Sequence, residues 1–400
     1  MDPHYRALFN DQIDDARYQW YQQELEQRLD CEFEFRLAET PLFLTAEFRQ
    51  LAIESATAIV EQLSDPQRIA RMREAIPERW NTPGMDALPN FAQVDFAVVE
   101  ENGSLVPKLI ELQGFPSLTS FQVIQRDVWV DTLHQMEGFE GDWSPWFSGY
   151  DRDSFLELAR RTICGEHDPA EVILMDIDPP AQKTAPDFHA TKLLFGVDAV
   201  DPLHLVKRGR QLFRQNGTPV RRIYNRVVFD ELLKKNLELP FDYREELDVE
   251  WAPHPNWYWV WSKYSLPFLD HPSVPRSTFV SDLDRIPEDF EQRYVLKPLF
   301  SFAGGGVNVE PTRPDLDAIP AAERHAWCIQ EKIEYEPALK SPDGGVKAEM
   351  RMMFLRPDDE AKPILSQNLV RLSRGKMLGV DFNKQYTWVG SSVALFPERA

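Results

Sequence analysis

The 400-residue chain is strongly acidic: 65 Asp and Glu residues against 44 Lys and Arg residues give a net charge of −21. Such a surface opposes the binding of nucleic acid and of anionic membranes, which depends on clustered Lys and Arg. It does not oppose the binding of a nucleotide, which needs only a few local cations and a metal ion. The length predicts two or three domains, at roughly 100–200 residues for each.

The remaining composition predicts an ordered cytoplasmic protein, with 43% hydrophobic residues, 25 Phe and 11 Trp. No apolar run approaches the ~18 residues of a membrane span, and the acidic, aromatic N-terminus resembles neither a signal peptide nor a transit peptide. Cys31, Cys164 and Cys328 lie far apart without a CxxC pair, so neither a disulfide framework nor a zinc site is expected. We expect a monomer or a homodimer.

The first 80 residues predict a helical region. Apolar residues keep helical spacing from Thr45 to Leu63. Asp65 followed by Pro66 is typical of an N-cap with proline at the first helical position, which predicts the start of another helix. This pattern indicates packing, and we assign it no chemistry.

Residues 81–140 predict a hairpin and a helix. Strand-like runs cover residues 94–99 and 106–113, and Asn102-Gly103 ends the turn between them. A helix is expected over residues 120–136. The hairpin is the first stretch of the chain with chemistry on one face.

Three polar side chains on this hairpin suggest a metal site. Glu111 and Gln113 lie two residues apart, so both point to one face of their strand. Asp95 on the paired strand reaches the same face if the register allows. Two carboxylates and an amide oxygen suit Mg²⁺ bound to phosphates. The alternative is a polar face that is merely solvated.

Residues 141–250 predict a βαβ unit. An apolar run over residues 172–178 is typical of a buried parallel strand, and a helix over 188–195 and a strand over 197–206 follow. Ligands of such units bind beyond the carboxyl ends of the strands. The exit loop of the first strand is therefore placed to contact a substrate through four side chains: Asp178, Gln182, Lys183 and Thr184.

A second hairpin is expected around Asn216-Gly217, between strands over residues 205–213 and 220–229. Its later strand carries four polar or cationic side chains: Arg221, Arg222, Asn225 and Arg226. They either bind an anion or cover an edge strand, and the sequence favours neither.

The stretch 293–310 combines a lysine with a glycine loop. Residues 294–296 form an apolar run that presents Lys297, three glycines follow, and residues 307–309 form a second apolar run. The pattern predicts strand, loop and strand. Backbone N–H groups of glycines can converge on an anion while the lysine contacts phosphate oxygens. The Walker P-loop pattern is absent, and the alternative is a tight turn beside a surface lysine.

The last hundred residues predict further strands, over residues 326–333, 347–355, 363–372 and 387–396. Two of them present Glu349, Arg351 and Arg371. Asp381 and Asn383 repeat an acid-x-amide pattern. Upstream, the aromatic segment 251–267 contains Lys263.

Together these stretches resemble the ATP-grasp superfamily, in particular its circularly permuted branch, typified by the synthetase domain of glutathionylspermidine synthase. The matching stretches are YVLKPLFSFAGGGVNV, the segment that leads to Lys263, CIQEKIEY and QVDFAVVEENGSLVPKLIELQGFPS. The order of metal hairpin before lysines fits the permuted arrangement. Three sets of residue roles follow from the resemblance: phosphate binding by Lys263 and Lys297 under Gly304, Gly305 and Gly306; an adenine pocket at Gln330, Glu331 and Lys332; and metal binding by Asp95, Glu111 and Gln113.

The chain departs from the family pattern at several points. Gln113 stands where the family has Asn, and Gln93 where it has Arg two positions before the metal aspartate. No amidase-like domain precedes the ligase part, and residues 140–250 do not suggest glutathione or spermidine. Asp381 and Asn383 offer a rival metal site.

The resemblance implies an α+β (α/β) fold of the ATP-grasp type, with antiparallel and mixed sheets, a Rossmann-like βαβ unit and N-terminal helices. We predict a helical region over 1–80, a metal-binding half over 81–140, a substrate unit over 141–250 and a nucleotide-binding half over 251–400. The implied activity is an ATP- and Mg²⁺-dependent ligase that joins a small-molecule carboxylate to an amine or thiol through an acyl phosphate. Lys297 and either Arg351 or Arg371 would act on the reacting groups. A small-molecule kinase and a non-catalytic scaffold remain as alternatives.

Overall fold

A computed structural model describes residues 1–300, 305–375, 383 and 385–398, which form an α+β fold. Its α-helices, in chain order, are α1 Pro3–Gln12, α2 Asp15–Leu29, α3 Ala46–Leu63, α4 Pro66–Met72, α5 Phe121–Leu133, α6 Arg152–Cys164, α7 Ala185–Phe195, α8 Phe229–Lys235, α9 Trp257–Val260, α10 Phe290–Arg293 and α11 Arg313–Asp317. Its strands are β1 Leu42–Phe43, β2 Phe91–Glu101, β3 Ser104–Gln113, β4 Trp143–Ser144, β5 Val172–Met175, β6 Asp198–Val200, β7 Val206–Arg208, β8 Gln211–Phe213, β9 Pro219–Val220, β10 Arg222–Asn225, β11 Glu250–Ala252, β12 Ser277–Phe279, β13 Tyr294–Pro298, β14 Trp327–Glu331, β15 Leu339–Ser341, β16 Gly344–Leu355, β17 Ile364–Ser373, β18 Gly390–Ser392 and β19 Ala394–Pro397.

The largest sheet is antiparallel and joins the predicted hairpin to the C-terminal strands. Its strand order is β18-β17-β16-β2-β3, with β15 paired to β16. The predicted hairpin is confirmed, because β2 and β3 pair across a turn in which Asn102 and Gly103 both have positive φ. Helix α3 packs against β3 and β16, and the buried apolar residues of these strands belong to the main hydrophobic core.

A β-bulge sets the register of this hairpin. From the turn up to Phe96, which pairs with Leu109, the register is regular. Asp95 then pairs with Glu111, so Ile110 is the extra residue of β3. The bulge places Asp95 directly opposite Glu111. The predicted metal site depended on this register, because only then does Asp95 share a face with Glu111.

A second, three-stranded antiparallel sheet of order β12-β14-β13 carries Lys297 on β13. The expected return strand at residues 307–309 is wrong in extent. Within residues 305–310, the structure has an isolated bridge rather than a strand, in which Leu296 and Asn308 exchange both backbone hydrogen bonds at 2.9 Å. Gly304 lies outside the described residues, and Gly305 and Gly306 are exposed.

The predicted βαβ unit is present as a parallel sheet of order β11-β10-β5-β6. The strand expected over residues 197–206 is wrong, because it divides into the short strands β6 and β7 with a 3₁₀ turn between them. The hairpin around Asn216-Gly217 joins only β8 to β9. Its expected second strand instead enters the parallel sheet as β10. Because β10 lies between β11 and β5, the alternative of a covered edge strand is also wrong.

Segments near the two ends of the chain pair with each other, because β1 lies parallel to β19. Asp65 caps α4 through its side chain, as predicted, and the side chain of Thr45 caps α3. Residues 387–396 were expected to close one sheet; instead, β18 pairs with β17, whereas β19 lies between β1 and β4 in a separate three-stranded sheet. β18 begins at Gly390, which lies close to the N-terminal segment: an added Cβ would lie 2.2 Å from the backbone oxygen of Arg36. None of the helices that the structure describes is long and apolar enough to cross a membrane.

Candidate functional site

Five charged side chains from four strands of the main sheet share one face. Asp95 on β2 pairs with Arg351 on β16 and with Glu111 on β3, and Arg371 on β17 pairs with Glu349 on β16. Directly paired residues of a sheet point to the same side. The antiparallel ladder therefore collects acids and guanidinium groups that lie far apart in the sequence.

Asp95 is held by both arginines. Arg351 donates from Nε to Oδ1 and from a terminal nitrogen to Oδ2, each at 2.6 Å, and Arg371 donates to Oδ2 at 2.8 Å. Asp95 is 1% exposed, the Arg351 side chain 6% and the Arg371 side chain 28%. The forked contact is the geometry in which a guanidinium binds a carboxylate most strongly. Arg371 is the member of the pair that solvent reaches.

A second acid continues this network. Arg371 contacts Glu349 at 2.9 Å, and Tyr335 donates its hydroxyl to Glu349 at 3.1 Å. Burial raises the pKa of Glu349, against the opposing effect of Arg371. Burial also raises the pKa of Tyr335, which stays a hydroxyl donor at neutral pH. No sequence pattern identified Tyr335, because nothing near it in the chain indicates that this residue lies beside Glu349.

Glu111 lies beside Asp95 on the same face of the sheet, on the side away from Arg351. Gln113 donates from Nε2 to Glu111 at 3.0 Å, and the Lys263 ammonium lies 3.6 Å from the other carboxylate oxygen. Burial alone would raise the pKa of Glu111, but four nearby cations outweigh burial and hold the pKa well below its usual range: Lys263, Arg371, Arg351 and Lys297. Glu111 is therefore an anion inside a ring of positive charge.

The side chain of Lys297 extends toward Glu111 from the three-stranded sheet β12-β14-β13. Its Nζ donates to the backbone oxygen of Ile110 at 2.9 Å and to Oε1 of Gln330 at 2.5 Å. Burial lowers the pKa of Lys297 to about 8, and neighbours such as Cys328 and Glu111 oppose part of that change. Among the described residues, Nε2 of Gln330 has no hydrogen-bond partner. Lys297, Lys263 and Glu111 thus meet where the two sheets face each other.

The other two predicted adenine-pocket residues follow Gln330 at the end of β14. Glu331 donates its backbone N–H to the oxygen of Arg276, and its side chain contacts Arg293 at 3.1 Å. Lys332 donates its backbone N–H to the oxygen of Arg293 at 2.7 Å. Gln330 therefore contacts the lysine of the cleft, whereas the Glu331 side chain pairs with a surface arginine.

The predicted metal ligands fit Mg²⁺ unequally. Glu111 offers carboxylate oxygens, and Oε1 of Gln113 is buried without a partner among the described residues, so both suit a hard cation. Asp95 does not fit as it stands, because both of its oxygens accept from arginine. Within residues 1–300, 305–375, 383 and 385–398, no group of three or more His, Cys, Asp or Glu residues could hold a metal ion.

The rival metal pair is only partly visible. Asp381 lies outside the described residues. Asn383 is buried, and its Oδ1 accepts from the Ser373 hydroxyl and from the backbone N–H groups of Arg374 and Gly375. Three donors saturate this oxygen, so in this arrangement Asn383 fixes the end of β17.

The polar loop after β5 lies at the carboxyl end of the parallel sheet, as expected. Gln182 donates to the backbone oxygen of Ile177 at 2.7 Å and to Glu231, and the backbone N–H of Asp178 donates to Asp201. The hydroxyl of Thr184 accepts from Arg226 at 3.4 Å. Lys183 precedes Thr184 in this loop and is exposed.

Arg222, at the start of β10, and Arg226, just after its end, are buried and form ion pairs. Arg226 pairs with Asp187 at 2.8 Å, and Arg222 pairs with Glu250 and Asp358 at 2.7 Å each. The expectation of an anion site at these residues is therefore wrong for Arg222, whose guanidinium already contacts two carboxylates and two backbone oxygens. The sequence could not reveal these partners, which lie up to 136 positions away.

Comparison with known proteins shows which solved structure has a similar fold. No family model and no curated protein matches the sequence. Among solved structures, the chain is similar to the apo form of a glutathione synthetase-like effector, GSS30, from Globodera pallida. The TM-score is 0.58 at 11% identity, over 100% of this chain and 98% of the effector chain. The fold is ATP-grasp-like. At this identity, the likeness establishes the architecture and no residue role.

Proposed function

We propose that the chain is an ATP-dependent ligase of the circularly permuted ATP-grasp branch, which joins a carboxylate to an amine or thiol. The observation that carries the proposal is the meeting of Lys263, Lys297 and Glu111 between the two sheets, with the arginine pair on the same face. The ATP-grasp-like fold of the chain supports this proposal. Buried cations from separate elements around a single carboxylate suit the triphosphate of a nucleotide and its metal ion.

The nucleotide would lie between the sheets. Lys263 and Lys297 would contact its phosphates, Gly305 and Gly306 would lie over them, and the free Nε2 of Gln330 would donate to the nucleotide. Glu111 and Gln113 would hold Mg²⁺, which when bound neutralises phosphate charge. Because Lys297 now donates to Ile110 and Gln330, it must exchange one of these acceptors for a phosphate oxygen.

The proposed reaction has two steps. A carboxylate oxygen of the substrate attacks the γ-phosphorus of ATP, the bond to the β-phosphate breaks, and ADP leaves. The amine or thiol then attacks the acyl phosphate, loses its proton and releases inorganic phosphate. Arg351 and Arg371 would orient the carboxylate, since guanidinium groups bind carboxylate and phosphate equally well. The polar loop after β5, with Asp178, Gln182, Lys183 and Thr184, would contact one substrate.

A non-catalytic scaffold is the second candidate, and one observation favours it. Both oxygens of Asp95 accept hydrogen bonds from arginine, so that one predicted metal ligand is occupied. A scaffold of this kind would bind nucleotide weakly or not at all. A kinase would share the nucleotide site, and its product would be a stable phosphate ester.

Calorimetric titration of ATP, with and without Mg²⁺, tests the proposal. We expect Mg²⁺-dependent binding in the wild-type protein and in Glu101→Gln, a control at the far end of β2, but loss of binding in Lys297→Met. In Glu111→Gln, binding should no longer depend on Mg²⁺. ADP release in the presence of carboxylates and amines then separates a ligase from a kinase by its amide product. A folded protein that does not bind ATP would refute the ligase and leave the scaffold.

A further inference from the structure

Strand β6 ends the parallel sheet of order β11-β10-β5-β6, and within the described residues it pairs only with β5. The backbone oxygen of Val200 accepts from the N–H of Asp176, so Val200 faces β5. Successive residues of a strand turn their backbone groups to opposite edges, so the N–H and C=O of Ala199 point away from β5. An edge of this kind is a template for pairing with another chain.

A groove of about 1120 Å³ lies along this edge. Residues 198–201 line it, together with α7 and the turn between β8 and β9. Helix α7 contributes the apolar side chains of Phe188 and Leu193, and Leu193 is 58% exposed. Apolar surface beside an exposed edge accommodates alternate side chains of an added strand, while the edge binds its backbone. The edge and the groove thus provide both parts of a strand-addition site.

The charges that line the groove do not balance. Three basic side chains line it, and each already contacts a carboxylate at 2.6–3.0 Å: Arg28, Lys192 and Arg214. Four aspartates also line it, and among the described residues only Asp198 of these forms an ion pair. The other three are Asp30, Asp178 and Asp201. The groove therefore attracts a cationic ligand.

We propose that β6 is a docking edge for an extended, basic segment of a partner protein. The segment adds a strand beside β6 and pairs its backbone with the N–H and C=O of Ala199. It places apolar side chains against α7 and directs Lys or Arg toward the three unpaired aspartates. The inference goes beyond the proposed ligase, because it uses neither the nucleotide cleft nor the arginine pair.

A fluorescently labelled peptide of alternating Lys and Val, blocked at both ends, is the probe for this edge. Anisotropy titrations at pH 8, where histidine is neutral, should show that it binds the wild-type protein and that the same peptide with Glu in place of Lys does not. Methylation of the backbone nitrogens of either the Val or the Lys residues removes the donors from one edge of the peptide. One of the two methylated peptides should therefore bind at least tenfold more weakly than the other.

Ala199→Pro removes the N–H that faces the groove. Proline is tolerated on an edge strand whose N–H faces outward. This variant should therefore unfold in urea like wild type but bind the Lys-Val peptide about tenfold more weakly, the loss expected for one hydrogen bond. Ala199→Ser keeps the N–H and is the matched control, with unchanged affinity.

Two further variants test the charge of the groove. Asp30→Asn should weaken the binding of the Lys-Val peptide, because asparagine keeps the left-handed backbone at the end of α2 but not the charge. Asp284→Asn, at an exposed position outside the groove, should leave the affinity unchanged.

Equal affinity of the two methylated peptides for the wild-type protein overturns the proposal, as does binding of the Glu peptide as tight as that of the Lys peptide. These results need no variant, so they stand even where Ala199→Pro does not fold. A second copy of the chain is the other occupant of such an edge. A wild-type dimer in sedimentation that Ala199→Pro converts to a monomer would assign the edge to that copy and overturn the proposal.

Discussion

The ammonium of Lys297 donates a hydrogen bond of 2.9 Å to the backbone oxygen of Ile110, and this contact joins the two sheets of the cleft. Ile110 is the extra residue of the β-bulge, so its backbone has no regular partner in the ladder. The same bulge sets Asp95 opposite Glu111. One inserted residue therefore fixes both the acid pair and the position of the lysine.

Lys297→Met should abolish nucleotide binding without unfolding the protein. The lost ammonium leaves two acceptors unpaired, which costs about 1–3 kcal/mol. However, burial lowers the pKa of Lys297 to about 8, and a shift of this size corresponds to a cost of about 3 kcal/mol for the charged form at neutral pH. We expect a free energy of unfolding within about 2 kcal/mol of wild type and at least tenfold weaker MgATP binding.

The control for this substitution is Lys234→Met, which removes a lysine whose side chain is 78% exposed. It should leave both the free energy of unfolding in urea and the affinity for MgATP unchanged. Equal affinity for MgATP in wild type and Lys297→Met would contradict the placement of the phosphates beside this lysine.

The bulge also shows where sequence-based prediction stops. Two strand-like runs and Asn102-Gly103 identified the hairpin and its turn, and the two-residue spacing of Glu111 and Gln113 identified their shared face. Had the regular register continued, Asp95 would pair with Ile110 and Glu111 would point to the opposite face. A local insertion of this kind depends on packing against the second sheet, which no pattern within the hairpin specifies.

Long-range pairing limited the prediction in the same way. Arg351 was identified as a candidate, but its partner Asp95 lies 256 positions earlier. The neighbours of a residue in a sheet follow from the order of the strands. Here β16 lies beside β2, and most of the chain separates these two strands in sequence. The sequence therefore supplied the chemical groups of the site, and the fold supplied which of them touch.

Gly114→Ala should destabilise the protein and disturb Gln113 beside it. A Cβ at this position would lie 2.6 Å from the backbone oxygen of Trp257 and 2.9 Å from Cβ of Trp261, both too close for contact. Overpacking of this kind costs typically about 1–3 kcal/mol. Urea unfolding should show this loss for Gly114→Ala. Gly141→Ala, where nothing lies within 4 Å, should show none, and equal stability of the two variants would contradict the close packing.

Asp187→Asn should be strongly destabilising. Asp187 is fully buried, accepts from the backbone N–H groups of Ser120 and Phe121 at 2.8 and 2.9 Å, and pairs with Arg226. It therefore links the start of α5 to the parallel sheet. Removing one partner of a buried ion pair costs about 3–5 kcal/mol, because the other charge stays buried.

Two further variants test whether the unpaired arginine is the cause. Asp187→Asn combined with Arg226→Met should recover at least half of the lost free energy of unfolding in urea. Asp248→Asn, which breaks an exposed pair with Arg210, should change stability by less than about 1 kcal/mol. A double variant as unstable as Asp187→Asn would assign the loss to the helix cap instead.

Asp176 makes the stability of the protein depend on pH, and a substitution at this residue should remove that dependence. It directly follows β5, is 4% exposed, and accepts from the backbone N–H of Ile177 at 2.8 Å. Burial raises its pKa to about 7, against the opposing effect of Arg226. The native state therefore keeps this proton up to about pH 7, whereas the unfolded chain loses it near pH 4.

Asp176 contributes its full stabilisation below about pH 4. This contribution is lost as the pH rises through about 7, because between these two pH values the unfolded state binds fewer protons than the native state. Asp176→Asn, which stays neutral, should match wild type at pH 4 and exceed it by up to about 4 kcal/mol at pH 8. Urea unfolding at intervals from pH 4 to 8 measures the difference. Asp284→Asn, at an exposed position, should follow the wild-type profile. A constant offset between Asp176→Asn and wild type would show that Asp176 is already ionised in the folded protein.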